Sequence, residues 1–283
     1  MSVGYVFPVT DSWIAILKCG ILAISYVGSL YLKKSPYPRD HPATIRQRIK
    51  SVTVVCLLAP LFLFWGCTVK ENEGFQFIKW LGVSFHKIFP AILLPVILTI
   101  ILFMGPIFLY LIEDGLADFK ANFMVICNSG DLVAYRTYVV APFTEEFIFR
   151  ACMLPILVPN FGLFWSIVLA PLFFGVAHFH HVIEQLQLGH ELVPVIMSSL
   201  FQMLYTTVFG MYSAFLFLRT GHLIGPILCH SFCNLMGFPQ FEMVPSSKYP
   251  KFISLSFVIG LLLFVYLLFP LTDPIIYESI YWK

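Results

Sequence analysis

Long apolar runs punctuated by short polar ones constrain this chain more than any other feature. Stretches near residues 12–32, 51–67, 88–112, 135–157, 163–179, 193–218, 222–238 and 253–271 each approach the roughly 20 residues with which a helix crosses a bilayer. Lipid offers the backbone no hydrogen-bond partner, so such a chain must fold into helices that satisfy their own amides and carbonyls. The expectation is an all-α, polytopic membrane protein with about eight transmembrane helices around a polar intramembrane cavity. No internal repeat or low-complexity linker divides the sequence, so residues 1–283 are read as a single membrane domain. Nothing before residue 11 is basic and the first apolar run has no clear small-residue cleavage site, so that run is read as a retained span.

The net charge of +2 is too small to point to a nucleic-acid partner, but the placement of the charges is informative. The stretch 33–50, "KKSPYPRDHPATIRQRIK", carries six Lys and Arg against one Asp, which places this loop in the cytosol and the N-terminus on the far side. Loops 113–134, 180–192 and 239–252 then fall on the cytosolic side as well. Lys70, Lys79 and Lys87 in the loop 68–87 weaken the contrast. Of the seven cysteines, six sit in or beside apolar runs and Cys127 falls in a loop, so no disulfide framework is implied. Cys229 and Cys233 flank His230 at helical spacing, a pattern better explained by small residues packing a helix than by a metal site.

Ionisable groups inside a membrane are costly, about 2.5–3.5 kcal/mol each on insertion scales, and they usually face a protein interior or a wet cavity. Three apolar segments carry them here. "FTEEFIFR" (143–150) holds Glu145, Glu146 and Arg150; "FFGVAHFHH" (173–181) holds His178, His180 and His181; "CHSFCN" (229–234) holds His230 and Asn234. Glu146 and Arg150 are four apart with the acid first, the favourable order for a helical ion pair. Glu145 lies about 100° away around the helix and can point elsewhere. His180 and His181 fit an interfacial position, whereas His178 lies deepest and follows "GVA", whose small side chains admit a neighbouring helix. His230 and Asn234 share one helix face, as two donors aimed at one oxygen would. A lone buried His or Asn is more often a satisfied interhelical partner, and Glu146 with Arg150 fits a structural ion pair, whereas Glu145 reads as functional and the combination as more than packing.

Taken in order, "EEFIFR" as Glu-Glu-x-x-x-Arg, "FGVAH" as Phe-x-x-x-His and "HSFCN" as His-x-x-x-Asn resemble the type II CAAX prenyl proteases. That family sits within the intramembrane glutamate proteases and bacteriocin-protection proteins. The motifs cover residues 135–240, and the eight-run hydropathy extends the likeness to the endoplasmic-reticulum branch. The resemblance implies an intramembrane endopeptidase that removes the C-terminal aaX tripeptide from farnesylated or geranylgeranylated CAAX proteins of the small-GTPase type, working in membrane lipid with an active site open to the cytosol. Glu145 and His178 would activate water, His230 and Asn234 would form the oxyanion hole, and Glu146 and Arg150 would support them, with no cofactor and no metal.

Two other classes compete with this reading. A zinc protease could use His180 with Glu184, or His178 with His181, although neither His-Glu-x-x-His nor His-x-x-Glu-His is present. A proton-coupled transporter would use the same groups as a relay, but the sequence lacks an inverted repeat. A catalytically silent scaffold of the same fold is a weaker option, because all four catalytic-type positions are occupied.

Overall fold

The computed structural model describes residues 10–64, 76–116, 124 and 130–282. Among these residues all regular secondary structure is helical. The helices used below are α1 (Ser12–Ser29), α2 (Pro42–Leu58), α3 (Ile88–Leu102) and α4 (Met104–Glu113). They are followed by α5 and α6, the limbs 132–161 and 163–177 of the run Leu132–Ala177, then α7 (Leu192–Thr220), α8 (Ile224–Met236) and α9 (Pro250–Leu271).

By length and composition four helices can cross a membrane: α1, the run Leu132–Ala177, α7 and α9. The pair α3 and α4 qualifies together but bends by 65° at Phe103. The sequence suggested one straight span there. Pro106 explains the difference, because it lacks the N–H that would continue the α3 ladder back to the carbonyl of Leu102.

The run Leu132–Ala177 is a hairpin. Gly162, at φ 72° and ψ 176°, breaks it in a conformation that residues with a Cβ rarely adopt. The chain then folds back so far that the rings of Phe149 and Phe174 meet edge to face with centroids 5.1 Å apart.

α2 starts at Pro42, inside the basic stretch read as a loop, because His41 Nδ1 accepts from the Ala43 N–H at 3.2 Å and Pro42 suits a first turn. It ends at Leu58, short of the expected 67; Cys67 and Lys70 lie outside the described residues, as does Cys127.

Burial centres on the crossing of α1, α5, α6 and α7, where Cys19, Ile148, Phe149, Leu154 and Phe217 are all buried. α9 instead packs on α3 and α4 and turns Leu262, Val265 and Tyr266 outward. Lipid is as apolar as leucine, so close packing and polar contacts hold such helices together. A Cβ at Gly175 on α6 would come within 2.2 Å of Thr207 Oγ1 on α7, which is the close approach expected of "GVA". Hydrogen bonds Tyr26 to Thr144 and Thr99 to Tyr212, each 2.9 Å, tie further helix pairs together.

Candidate active site

The site begins with an irregularity in α5. Asp131 caps its start, its Oδ1 accepting from the N–H groups of Val133 and Ala134 at 2.9 and 3.0 Å. The helix then widens into a π turn over Arg136–Val140, where the Ala141 N–H reaches back to the Arg136 carbonyl. That leaves the Thr137 carbonyl without its ordinary partner, and Pro142 has no N–H to offer Tyr138. Both carbonyls are taken by α8: Asn234 Nδ2 donates to Thr137 at 3.0 Å and Ser231 Oγ to Tyr138 at 2.6 Å. A second π segment, Phe147–Cys152, follows the two glutamates. Such widened turns recur at functional sites because they redirect side chains without ending the helix.

Glu146 is fully buried, with Arg150 Nη1 at 3.1 Å, so the ion pair expected from the spacing is formed. Its carboxylate does more than that. Oε1 also accepts from His230 Nδ1 at 2.8 Å, and Oε2 accepts from the Ser213 hydroxyl. The Arg150 guanidinium lies 4.6 Å from the centre of the Phe174 ring. The acid next to the expected catalytic one therefore joins α5, α7 and α8 and fixes the tautomer of His230.

With Nδ1 committed to Glu146, His230 turns Nε2 toward Glu145, whose Oε2 is 3.8 Å away. Glu145 keeps 19% of its side chain exposed, in contrast to Glu146 at zero. His178 donates from Nδ1 to the Phe174 carbonyl at 2.8 Å, which leaves its Nε2 as an acceptor. Glu145, His178, His230 and Asn234 all line one cavity of about 1010 Å³. This volume lies at the upper end of the roughly 300–1,000 Å³ typical of small-ligand sites. Phe103, Phe238, Phe241 and Leu261 give the cavity aromatic and aliphatic lining, and Arg39, Arg48 and Arg136 line it as well.

No group of three or more His, Cys, Asp and Glu among the described residues is placed to hold a metal ion. The side chains of His180, His181 and Glu184 lie outside those residues. Cys229 is buried, and its sulfur receives the Thr99 hydroxyl at 3.1 Å.

Several participants were not read from the sequence. Ser213 looks like any small residue of a long helix, and no local pattern ties the Thr137 and Tyr138 carbonyls to α8. Pro142 was the available signal, since a proline inside a helix always frees a carbonyl. The roles of Asn234 and Ser231 can be separated by mutation. Each alanine variant leaves a carbonyl unsatisfied and should lower stability by about 1–3 kcal/mol. Only Asn234→Ala, which also removes a donor from the cavity, should cost a further ~10²–10³ in turnover beyond the Ser231→Ala variant. Melting and rate measured on the two proteins check this, and equal rates would remove Asn234 from the chemistry.

Comparison with known proteins follows the same motifs. A family model described as type II CAAX prenyl endopeptidase Rce1-like matches residues 131–236. CAAX prenyl protease 2 of Homo sapiens is 46% identical over 289 residues, covering 99% of this chain and 87% of the human protein. The Rattus norvegicus protein of the same name is 43% identical over 95% of this chain and 83% of its own length. That of Saccharomyces cerevisiae is 31% identical over 77% of this chain and 78% of its own. No solved structure matches significantly.

Proposed function

The chain belongs to the CAAX prenyl protease 2 family, and on that premise we propose how its cavity cuts a prenylated C-terminus. It is a CAAX-processing endopeptidase, acting on prenylated CAAX proteins from within a multi-pass membrane fold. The observation that carries the mechanism is the convergence of Glu145, His178, His230 and Asn234 on one cavity that Phe103, Phe238, Phe241 and Leu261 also line. A prenyl chain belongs in hydrocarbon and the peptide it carries does not, so a pocket that joins the two environments resolves the conflict.

In the proposed reaction a water molecule is held between Glu145 and the Nε2 acceptor of His178. Its oxygen attacks the carbonyl of the prenylated cysteine while Glu145 takes its proton. The carbonyl oxygen becomes an oxyanion, facing His230 and the second Nδ2 hydrogen of Asn234. Because Nδ1–H of His230 is committed to Glu146, the ring donates from Nε2 only as the imidazolium, whose charge would offset that of the oxyanion. Glu145 then returns the proton to the leaving nitrogen as the C–N bond breaks, and the aaX tripeptide departs. No step is assigned to a metal.

The finer reading adds a single membrane domain of about eight spans, in the endoplasmic reticulum. The basic stretch 33–50 and the cavity mouth face the cytosol, where small GTPases of the CAAX class and membrane lipid meet. Purified protein treated with a zinc-specific chelator, given a prenylated and an unprenylated CAAX peptide, should release the tripeptide from the first only. Its rate should lie within about twofold of the untreated enzyme, since the proposed base and donors are all side chains. Loss of activity on chelation with recovery on adding zinc would replace the glutamate mechanism by the metal one, and equal cleavage of both peptides would remove the prenyl requirement.

A further inference from the structure

The α1–α2 hairpin also lines the cavity. Val27, Leu30, Ile49 and Val52 give it an aliphatic wall, and Arg39 and Arg48 line it beside them. The first turns of α5, which carry Glu145 further along, pack against both α2 and α8, and Glu145 lines the same cavity as the two arginines. From this placement we propose that Arg39 and Arg48 bind the terminal carboxylate of the substrate, making them specificity-determining residues that read the free C-terminus of the aaX tripeptide. The inference rests on the protease reading above and adds an orientation: prenyl group against Phe103, Phe238 and Phe241, two aliphatic residues along Val27, Leu30, Ile49 and Val52, carboxylate at the arginines.

The segment that carries Arg39 is held in place. Arg136 Nη1 donates to Asp40 Oδ1 at 2.7 Å, fastening the loop to the start of α5. That hydrogen bond, with the charges of Arg39 and Arg48 nearby, holds the Asp40 carboxyl below its ordinary range. Ser35 and Thr44 share a hydrogen bond of 2.6 Å, Tyr37 stacks on His41 at 4.1 Å, and Gln47 bonds the Lys33 carbonyl. Arg48 lies with its guanidinium 5.5 Å from the Tyr31 ring centre, close enough for the ring face to hold it. Arginine suits the role because its planar fork matches a carboxylate with two parallel bonds. Three extended residues span about 10 Å, which is the separation this orientation requires between the scissile carbonyl and the arginines.

The test compares a prenylated CAAX peptide bearing a free C-terminal carboxylate with the same peptide as its C-terminal amide, in neutral detergent. Wild type should favour the acid by about 10- to 100-fold in kcat/KM, chiefly through KM. In the Arg39→Gln/Arg48→Gln double variant that preference should fall below about twofold, and Arg48→Lys should keep part of it as a point charge without the fork. Equal cleavage of acid and amide by wild type would overturn this inference and leave the protease reading standing. Cleavage of neither would overturn both. A double variant that loses activity equally on acid and amide, or only in vesicles of anionic lipid, would assign the arginines to lipid phosphate and sink the carboxylate site.

Discussion

Glu146→Ala is expected to unfold the protein more readily than any other single substitution at the site, and to silence it. Glu146 is fully buried with three partners on it: Arg150, His230 and Ser213. Removing one member of a buried pair leaves the other charge uncompensated, at a cost of about 3–5 kcal/mol. Here that charge is an arginine buried to the last atom and covered by Phe174. The same deletion frees the His230 ring, which loses the bond that aims Nε2 at Glu145. Glu146→Gln separates the two effects, since the amide keeps the shape and one acceptor while losing the charge. Thermal melting in detergent should fall steeply for the alanine variant and less for the glutamine variant, with tripeptide release lost in the first and strongly reduced in the second. An alanine variant that melts and cuts like wild type would show that neither the ion pair nor the orientation of His230 matters.

The helical, membrane-crossing character of the chain and four polar residues of the cavity were legible in the sequence for the same reason: a lipid environment makes apolar length and stray charge conspicuous. Glu145, His178, His230 and Asn234 stood out because three apolar segments carried polar groups they did not need for crossing a membrane, and all four line one cavity. The ion pair of Glu146 with Arg150 followed from spacing alone. What spacing could not reveal was the partner of Glu146 on another helix. The bond to His230 joins residues 84 apart in sequence, and no local rule connects them.

Backbone events were harder to read. The 65° bend at Phe103 and the π turn over Arg136–Val140 both sit beside a proline, a visible signal whose outcome depends on what takes up the freed carbonyl. Beside Arg136–Val140 the answer was Asn234 and Ser231, so a residue expected only to serve the oxyanion also holds its own helix in place. The basic stretch 33–50 was read for its charge, which speaks to orientation. That Arg39 and Arg48 also line the cavity emerged only once α2 was seen to begin at Pro42 and to turn a face inward.

Glu145 carries the central claim. It is the acid that remains partly exposed to the cavity while its neighbour is sealed away, and it has His230 Nε2 3.8 Å from its Oε2. If it takes the proton of the attacking water, Glu145→Gln removes the base while preserving volume and a hydrogen-bonding oxygen. General-base contributions are typically about 10²–10⁴-fold, and loss of proton delivery to the leaving nitrogen deepens the defect. Glu145 keeps part of its side chain exposed where Glu146 is sealed, and Gln preserves its shape, so the fold should survive. The most direct measurement is therefore tripeptide release from a prenylated CAAX peptide by purified wild type and Glu145→Gln, each with its melting temperature recorded in the same detergent. A drop of about 10³-fold or more in rate with melting unchanged is the result expected of a catalytic base. A Glu145→Gln protein that releases the tripeptide at the wild-type rate would contradict the glutamate mechanism outright.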